Sequence, residues 1–471
     1  MPPQPPAAAP TDAAPITPPS APAVRWHCLD CGIEATDLEP HANHALERVG
    51  GGEERVDRVR SVAIDELTHS RGYERISTGV RGFDLVLGGG LVRNGIVMID
   101  GEPGIGKSTL LATVSGRIAA RGGNVLYASG EETVDQLAAC AARIGHVIEG
   151  VRAMHTANLD DILREARVLR RDGWPVDLLI VDSAQAVRTA TASGAVGSVH
   201  QVGAVTNDLR SFAKASNTSV ILVSQVVKDG SAAGPNSAAH AVDALFSFGR
   251  DERDLRWLRS RKNRFGAVGE VAQFEMSSRG LVEVEDPSMG AWRELVGDPG
   301  VAGCVCAHLA KPVMVGVEAL VTLDDDVSGG RSVQSQGYPI DRVKFILESL
   351  TRHAGVSFAK ASVRVRVPLV AGDEVKDNAL DLAVAAACWS SLTKASLGSA
   401  VFAGSVGLSG KMQTPPRLDA RIEYSERCRA SAVAVGCAAA KRSLPARVPV
   451  FQASHVRDLP EVFEKLREKK P

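Results

Sequence analysis

Gly101-Glu102-Pro103-Gly104-Ile105-Gly106-Lys107-Ser108 satisfies the pattern G-x-x-x-x-G-K-[ST] at every fixed position. Glycines so placed let backbone N–H groups turn inward around phosphate oxygens, and a helix opening at Thr109 adds its positive end. Lys107 has the reach and charge for the β- and γ-phosphates of ATP, and the Ser108 hydroxyl suits Mg²⁺. Residues 101–109 thus read as a nucleotide-binding loop. Asp182, closing the apolar run Leu178-Leu179-Ile180-Val181 and followed by Ser183, supplies the second group expected at Mg²⁺. Hydrolysis also needs a carboxylate to orient water. Gly130-Glu131-Glu132 offers two, with Glu131 ahead of Glu132, although adjacent acids also suit an ordinary helix N-terminus. Gln225 follows the apolar run 219–224, where an amide is placed to sense the γ-phosphate.

Such groups need elements to hold them. Short runs of β-branched residues and Leu at 96–100, 124–128, 178–182 and 219–224 read as strands buried on both faces. Amphipathic stretches at 109–121, 134–144 and 159–170 alternate with them as helices. Strand–helix alternation implies a parallel α/β sheet spanning about 61–290. The turn-rich stretch 285–300, with Asp286-Pro287 and Asp298-Pro299-Gly300, marks a boundary. Beyond it, strands at 313–323 and 361–369 and helices at 341–352 and 379–392 indicate an α+β domain over 300–465. A strand at 400–404, a helix at 422–431 and a strand at 432–435 complete it.

Composition bounds the rest. With 471 residues, 54 Lys+Arg against 55 Asp+Glu and 44% hydrophobic residues, the chain has the profile of two or three globular domains and is no polycation. Residues 301–471 carry 23 basic against 17 acidic side chains, so the C-terminal third is the better match for a polyanion. Residues 1–24 hold nine prolines and seven alanines and no basic residue, a composition expected to stay disordered. Eight cysteines are too few for a disulfide scaffold, and a reducing compartment is expected. No membrane association is expected, since no apolar run approaches 18 residues.

Further motifs carry a family resemblance. Ile76-Ser77-Thr78-Gly79, Phe83-Asp84, Val86-Leu87-Gly88-Gly89-Gly90, Lys228-Asp229-Gly230-Ser231 and Gly234-Pro235 flank the nucleotide loop in a fixed order. Lys262-Asn263-Arg264-Phe265-Gly266 follows. Together they resemble the RadA/Sms branch of RecA-like ATPases, over roughly residues 26–465. The resemblance implies a zinc module, a RecA-like ATPase core and a Lon-protease-like domain. It further implies a DNA-stimulated ATPase in recombinational repair, forming a homo-oligomeric ring (a hexamer) that moves on single-stranded DNA and processes branched DNA, with a recombinase as a partner. In a RecA-type core, strand 124–128 is expected beside the loop strand, with its end facing the γ-phosphate. Lys262 and Arg264, two apart on an extended segment, put both cations on one side, to serve a neighbour's nucleotide or grip DNA phosphates.

The chain also departs from that family. Cys28 and Cys31 form one Cys-x-x-Cys pair within 25–60, but the second pair is replaced by His41 and His44. Two thiolates and two imidazoles make a tetrahedral Zn²⁺ set, and a decayed finger is the alternative. In the Lon-like domain Ala379 stands where a nucleophilic Ser would, and 416–421 lacks the matching Lys. Proteolysis is not expected from an alanine. A rival in another class is a RecA/KaiC-like nucleotide-binding scaffold or regulatory oligomer that does not move on DNA. Bacterial cytoplasm is the expected location, or an organelle in a eukaryote.

Overall fold

The computed structural model describes residues 72–145, 149–225, 236–278, 280–284, 287–307, 312–323, 332–370, 372, 374–437 and 446–468, with three strand segments nearer the N-terminus. Those segments, Arg25–Cys28, Glu34–Ala35 and Leu46–Val49, make a small antiparallel sheet with the first strand in the middle. Cys28 ends its strand, whereas Cys31, His41, His44, the tail 1–24 and segment 226–235 lie outside the described residues.

Nine strands build the main sheet. In chain order they are β1 (Ile96–Gly101), β2 (Val125–Ser129), β3 (Val151–His155), β4 (Leu178–Asp182), β5 (Ser219–Gln225), β6 (Ala244–Arg250), β7 (Arg256–Asn263), β8 (Val271–Ser277) and β9 (Gly280–Glu283). Across the sheet they run β9-β8-β7-β6-β1-β5-β4-β2-β3. From β3 to β6 every pairing is parallel, and β7, β8 and β9 extend the sheet antiparallel. This is a RecA-like P-loop ATPase fold.

One expected neighbour is wrong. β2 does not lie beside β1; β5 and β4 stand between them, and β1 pairs with β5 and β6. Those partners suit the centre, because Val220–Val223 of β5 and Phe246 and Phe248 of β6 are buried and need cover on both faces. The helix Lys107–Ala119 packs Leu110, Leu111, Val114 and Ile118 into the same core as Val97, Ile99, Val125 and Ile180. It starts directly at Lys107, two residues before the expected helix start. Gly106 can take the left-handed conformation there (φ 111°), which reverses the chain in one residue.

The second sheet is mixed. Its strands are β10 (Val301–Cys306), β11 (Val313–Leu323), β12 (Ser332–Gln336), β13 (Ala361–Arg366), β14 (Val401–Ala403), β15 (Val433–Gly436) and β16 (Val450–Ala453), ordered β12-β13-β11-β10-β14-β15-β16. The helix Leu380–Thr393 packs against β10 and β11 and is buried continuously from Leu380 to Ser390, which its run of small and apolar residues permits. The turn-rich stretch 285–300, read only as a boundary, contains the helix Pro287–Leu295. Trp292 accounts for it: the indole is buried among Val301, Val305 and Met314, in space left by Gly303 and Gly316. The helix expected at 422–431 runs over Leu418–Arg427. Pro415 and Pro416 bar a helix before it, and Arg429 at φ 56° follows its end.

Ala379 is buried, and its N–H donates to Asp377 Oδ1 (3.0 Å). Arg421 reaches the same carboxylate, with Nη2 2.8 Å from Asp377 Oδ2, and also donates to the carbonyls of Val305 and Pro416. Both side chains are at most 5% exposed. Arg421→Ala leaves a buried carboxylate without its countercharge and is expected to destabilise this domain by about 3–5 kcal/mol. Denaturant unfolding checks it; a loss below about 1 kcal/mol would show that water enters and solvates Asp377. Among the described residues, no helix is long and apolar enough to cross a membrane.

Candidate active site

The parallel strands bring their carboxyl ends together, where open α/β sheets bind ligands. Gly101 stands opposite Gln225 on one side and Phe248 on the other, while Ser129 stands opposite Asp182. Gly101 is required by that packing, because a Cβ there would lie 2.4 Å from the Phe248 carbonyl oxygen. Glu102, Pro103 and Gly104 are exposed at the mouth of the loop, while Ile105 is buried beneath it and Thr109 within the first helical turn.

Lys107 points back into the loop. Its Nζ donates to the carbonyls of Gly101 and Glu102, each at 2.8 Å. Burial lowers its proton affinity, opposed by the negative charges of Asp182, Glu131, Asp100 and Glu102. Ser108 Oγ lies 3.3 Å from Asp182 Oδ2, and the buried Tyr127 hydroxyl donates to that same oxygen at 2.9 Å. Burial raises the Asp182 carboxyl above its usual range, helped by Glu131 and opposed by the Tyr127 and Ser108 bonds and by Lys107. A hydroxyl and a carboxylate at the phosphate loop form an all-oxygen set that fits Mg²⁺, a hard cation that keeps waters and binds substrate phosphates.

The two acids after β2 differ sharply. Glu131 is exposed, and its Oε1 accepts from Ser183 Oγ at 2.5 Å and from Gln225 Nε2 at 2.9 Å. Gln225 Nε2 also reaches Oε2 at 3.2 Å. Glu132 turns inward, with a buried Oε2 that has no hydrogen-bond partner among the described residues. Burial, then Asp182 and Glu131, raise its carboxyl. Ser129 Oγ fixes the turn by accepting the N–H groups of Glu131 (3.2 Å) and Glu132 (2.8 Å). Glu131 and Gln225 therefore meet although their strands are separated by β4. The side chains span what the strand order keeps apart.

Lys262 and Arg264 stand elsewhere. Lys262 pairs with Leu245, and Arg264 bonds Asp243, whose carboxylate accepts the N–H of Ile96 at the start of β1. Gly101 lies five residues further, roughly 16 Å at about 3.3 Å per residue. Neither cation joins the phosphate loop of its own chain. They also differ from one another: Lys262 Nζ donates to three carbonyls, of Ala239 (2.9 Å), His240 (3.0 Å) and Val242 (2.7 Å), closing the end of the helix Asn236–Ala241. Burial and the nearby Arg264 lower its proton affinity. Arg264 is half exposed and holds one ion pair with Asp243 (3.2 Å). The other three residues of the pentapeptide pack. Asn263 donates to the carbonyls of Val86 and Leu87, Phe265 covers Gly95, and Gly266 meets Gly88 so closely that a Cβ would lie 3.0 Å from its Cα.

The family model for KaiC ATPases matches residues 76–282. The chain is 34% identical over 410 residues to the DNA repair protein RadA of Rickettsia bellii, covering 85% of this chain and 87% of that protein. With the DNA repair protein RadA of Streptococcus pyogenes serotype M3 the identity is 35% over 403 residues, covering 84% and 85%. The chain belongs to the RadA family. As a RadA-family chain it is a P-loop ATPase. Among solved structures, a KaiC-like protein of Pyrococcus horikoshii aligns with a TM-score of 0.39 at 20% identity, covering 45% of this chain and 99% of that one.

Tyr127, Ser129 and Ser183 were not singled out from the sequence as working parts of the site. Ser183 directly follows Asp182, and Tyr127 is a hydroxyl-bearing residue inside an otherwise apolar strand. Only the pairing of β2 with β4 shows what they hold.

Proposed function

We propose that this RadA-family chain is a DNA-stimulated ATPase of recombinational DNA repair, which moves on single-stranded DNA as a homo-oligomeric ring and processes branched intermediates. The observation that carries the reading is the convergence of Lys107, Ser108, Asp182, Glu131 and Gln225 at one end of the sheet. The repair role rests on relatives named for DNA repair.

Lys107 exchanges its two carbonyl acceptors for the β- and γ-phosphate oxygens when ATP enters. Ser108 and Asp182 would hold Mg²⁺, which when bound supplies charge neutralisation across those phosphates. Glu131, exposed toward the mouth and tied by Ser183 and Gln225, orients the attacking water and takes its proton. Arg264 is the cation able to serve a neighbouring subunit, because the three donors of Lys262 are already engaged. The domain after residue 300 is a non-proteolytic Lon-like scaffold: Ala379 has no nucleophile, and Arg421 is committed to Asp377.

Forked DNA with a labelled strand tests the proposal. Purified protein with ATP and Mg²⁺ is expected to displace the strand. Glu131→Gln should bind ATP yet lose about 10²-fold or more in turnover, the typical worth of a positioned base, and displacement with it. ATP binding with no displacement by the unaltered protein would favour the nucleotide-binding scaffold instead.

A further inference from the structure

We infer that Ser183 is the positioning residue that aims the Glu131 carboxylate, an assignment that rests on Glu131 being the water-orienting base. Glu131 is exposed and starts a loop, so left alone its flexible side chain would sample many rotamers. Its backbone is fixed by Ser129, but a fixed backbone does not fix a carboxylate three bonds away. Two donors do that, and they are unequal. Gln225 is half-buried at the last position of β5 and carries its own flexible amide. Ser183 is fully buried directly after β4, has one short rotor, and its hydroxyl donates a hydrogen bond to Glu131 Oε1 at 2.5 Å.

The placement follows from the sheet. β2 and β4 are parallel neighbours with Ser129 opposite Asp182, and the Gly130 N–H donates to the Asp182 carbonyl at 2.8 Å. One step beyond that register puts Ser183 level with the residues leading to Glu131. Adjacent residues therefore divide the work: Asp182 faces Ser108 at the Mg²⁺ side, and Ser183 faces the base. Gly130 is needed for this approach, because a Cβ there would lie 2.8 Å from Ala186 Cβ and 2.9 Å from the Ala186 carbonyl oxygen. The Ser183 backbone carbonyl accepts from Ala186, a bond that an alanine at 183 would keep. Removing the hydroxyl thus deletes one donor and little else.

A double-mutant cycle on the full-length protein tests the assignment. Ser183→Ala should lower kcat about 10- to 100-fold, the worth of a hydrogen bond to a charged group, with ATP affinity unchanged. Ser183→Cys, close in shape with a weaker donor, should fall between the two, and it carries the test if the alanine variant does not fold. In a Glu131→Gln background, Ser183→Ala should cost nothing further. An unchanged kcat in Ser183→Ala, or an equal additional loss in the Glu131→Gln background, would overturn the positioning role while leaving Glu131 as base. Full turnover by Glu131→Gln alone would instead remove the base, and the positioning role with it.

Discussion

Lys107→Ala should fold normally and turn over no ATP above background. Lys107 contributes charge to the phosphates and almost nothing to the core, since its Nζ bonds only the loop carbonyls of Gly101 and Glu102. Losing those two bonds costs about 1–3 kcal/mol, since the Gly101 carbonyl is buried and the Glu102 carbonyl only partly so. Turnover depends on the ammonium in a different way: it neutralises charge on the phosphates during transfer, a role no neighbouring side chain can take over. The charged groups that act on it, Asp182, Glu131, Asp100 and Glu102, are all negative. The checks are a steady-state ATPase assay and a thermal melt on one preparation. Substantial turnover by a well-folded Lys107→Ala protein would remove residues 101–109 as the catalytic loop.

Arg264→Ala carries the second large effect. If Arg264 completes a neighbour's site, the substitution should spare nucleotide binding and reduce turnover by about 10³-fold, as when a trans finger is removed. Its ion pair joins a half-exposed guanidinium to a largely buried Asp243 carboxylate that still accepts from the Ile96 N–H, so the loss should cost about 1–3 kcal/mol and the fold should survive. Mixing Arg264→Ala with Lys107→Ala subunits should then restore some activity, because an intact loop can meet an intact finger. Confirmed mixed assemblies without any recovery would sink the trans role. Lys262→Ala should behave differently, unfastening Ala239–Val242 and lowering the melting temperature.

That split was hidden in the sequence. Lys262 and Arg264 look equivalent as letters, and only the three carbonyls around Lys262 distinguish them. The phosphate loop was legible because its chemistry is local: glycines, Lys107 and Ser108 are neighbours in the chain. Asp182 was legible from the apolar strand that ends in it. Strand order was not, since burial on both faces makes β2 and β5 similar as text, and the hydrophobic pattern does not say which lies beside β1. The helix Pro287–Leu295 was masked by Asp286-Pro287 and Pro299-Gly300, while its cause, a pocket for Trp292, is made by distant glycines. Ser183 and Tyr127 could be seen but not interpreted, because their partners lie on other strands.

The most direct measurement of the central claim is ATP turnover by the full-length protein with and without single-stranded DNA, at fixed salt and Mg²⁺. Turnover that rises on adding DNA, and disappears in Lys107→Ala under both conditions, is the predicted result. Turnover indifferent to DNA across the concentration range where DNA is bound would contradict it.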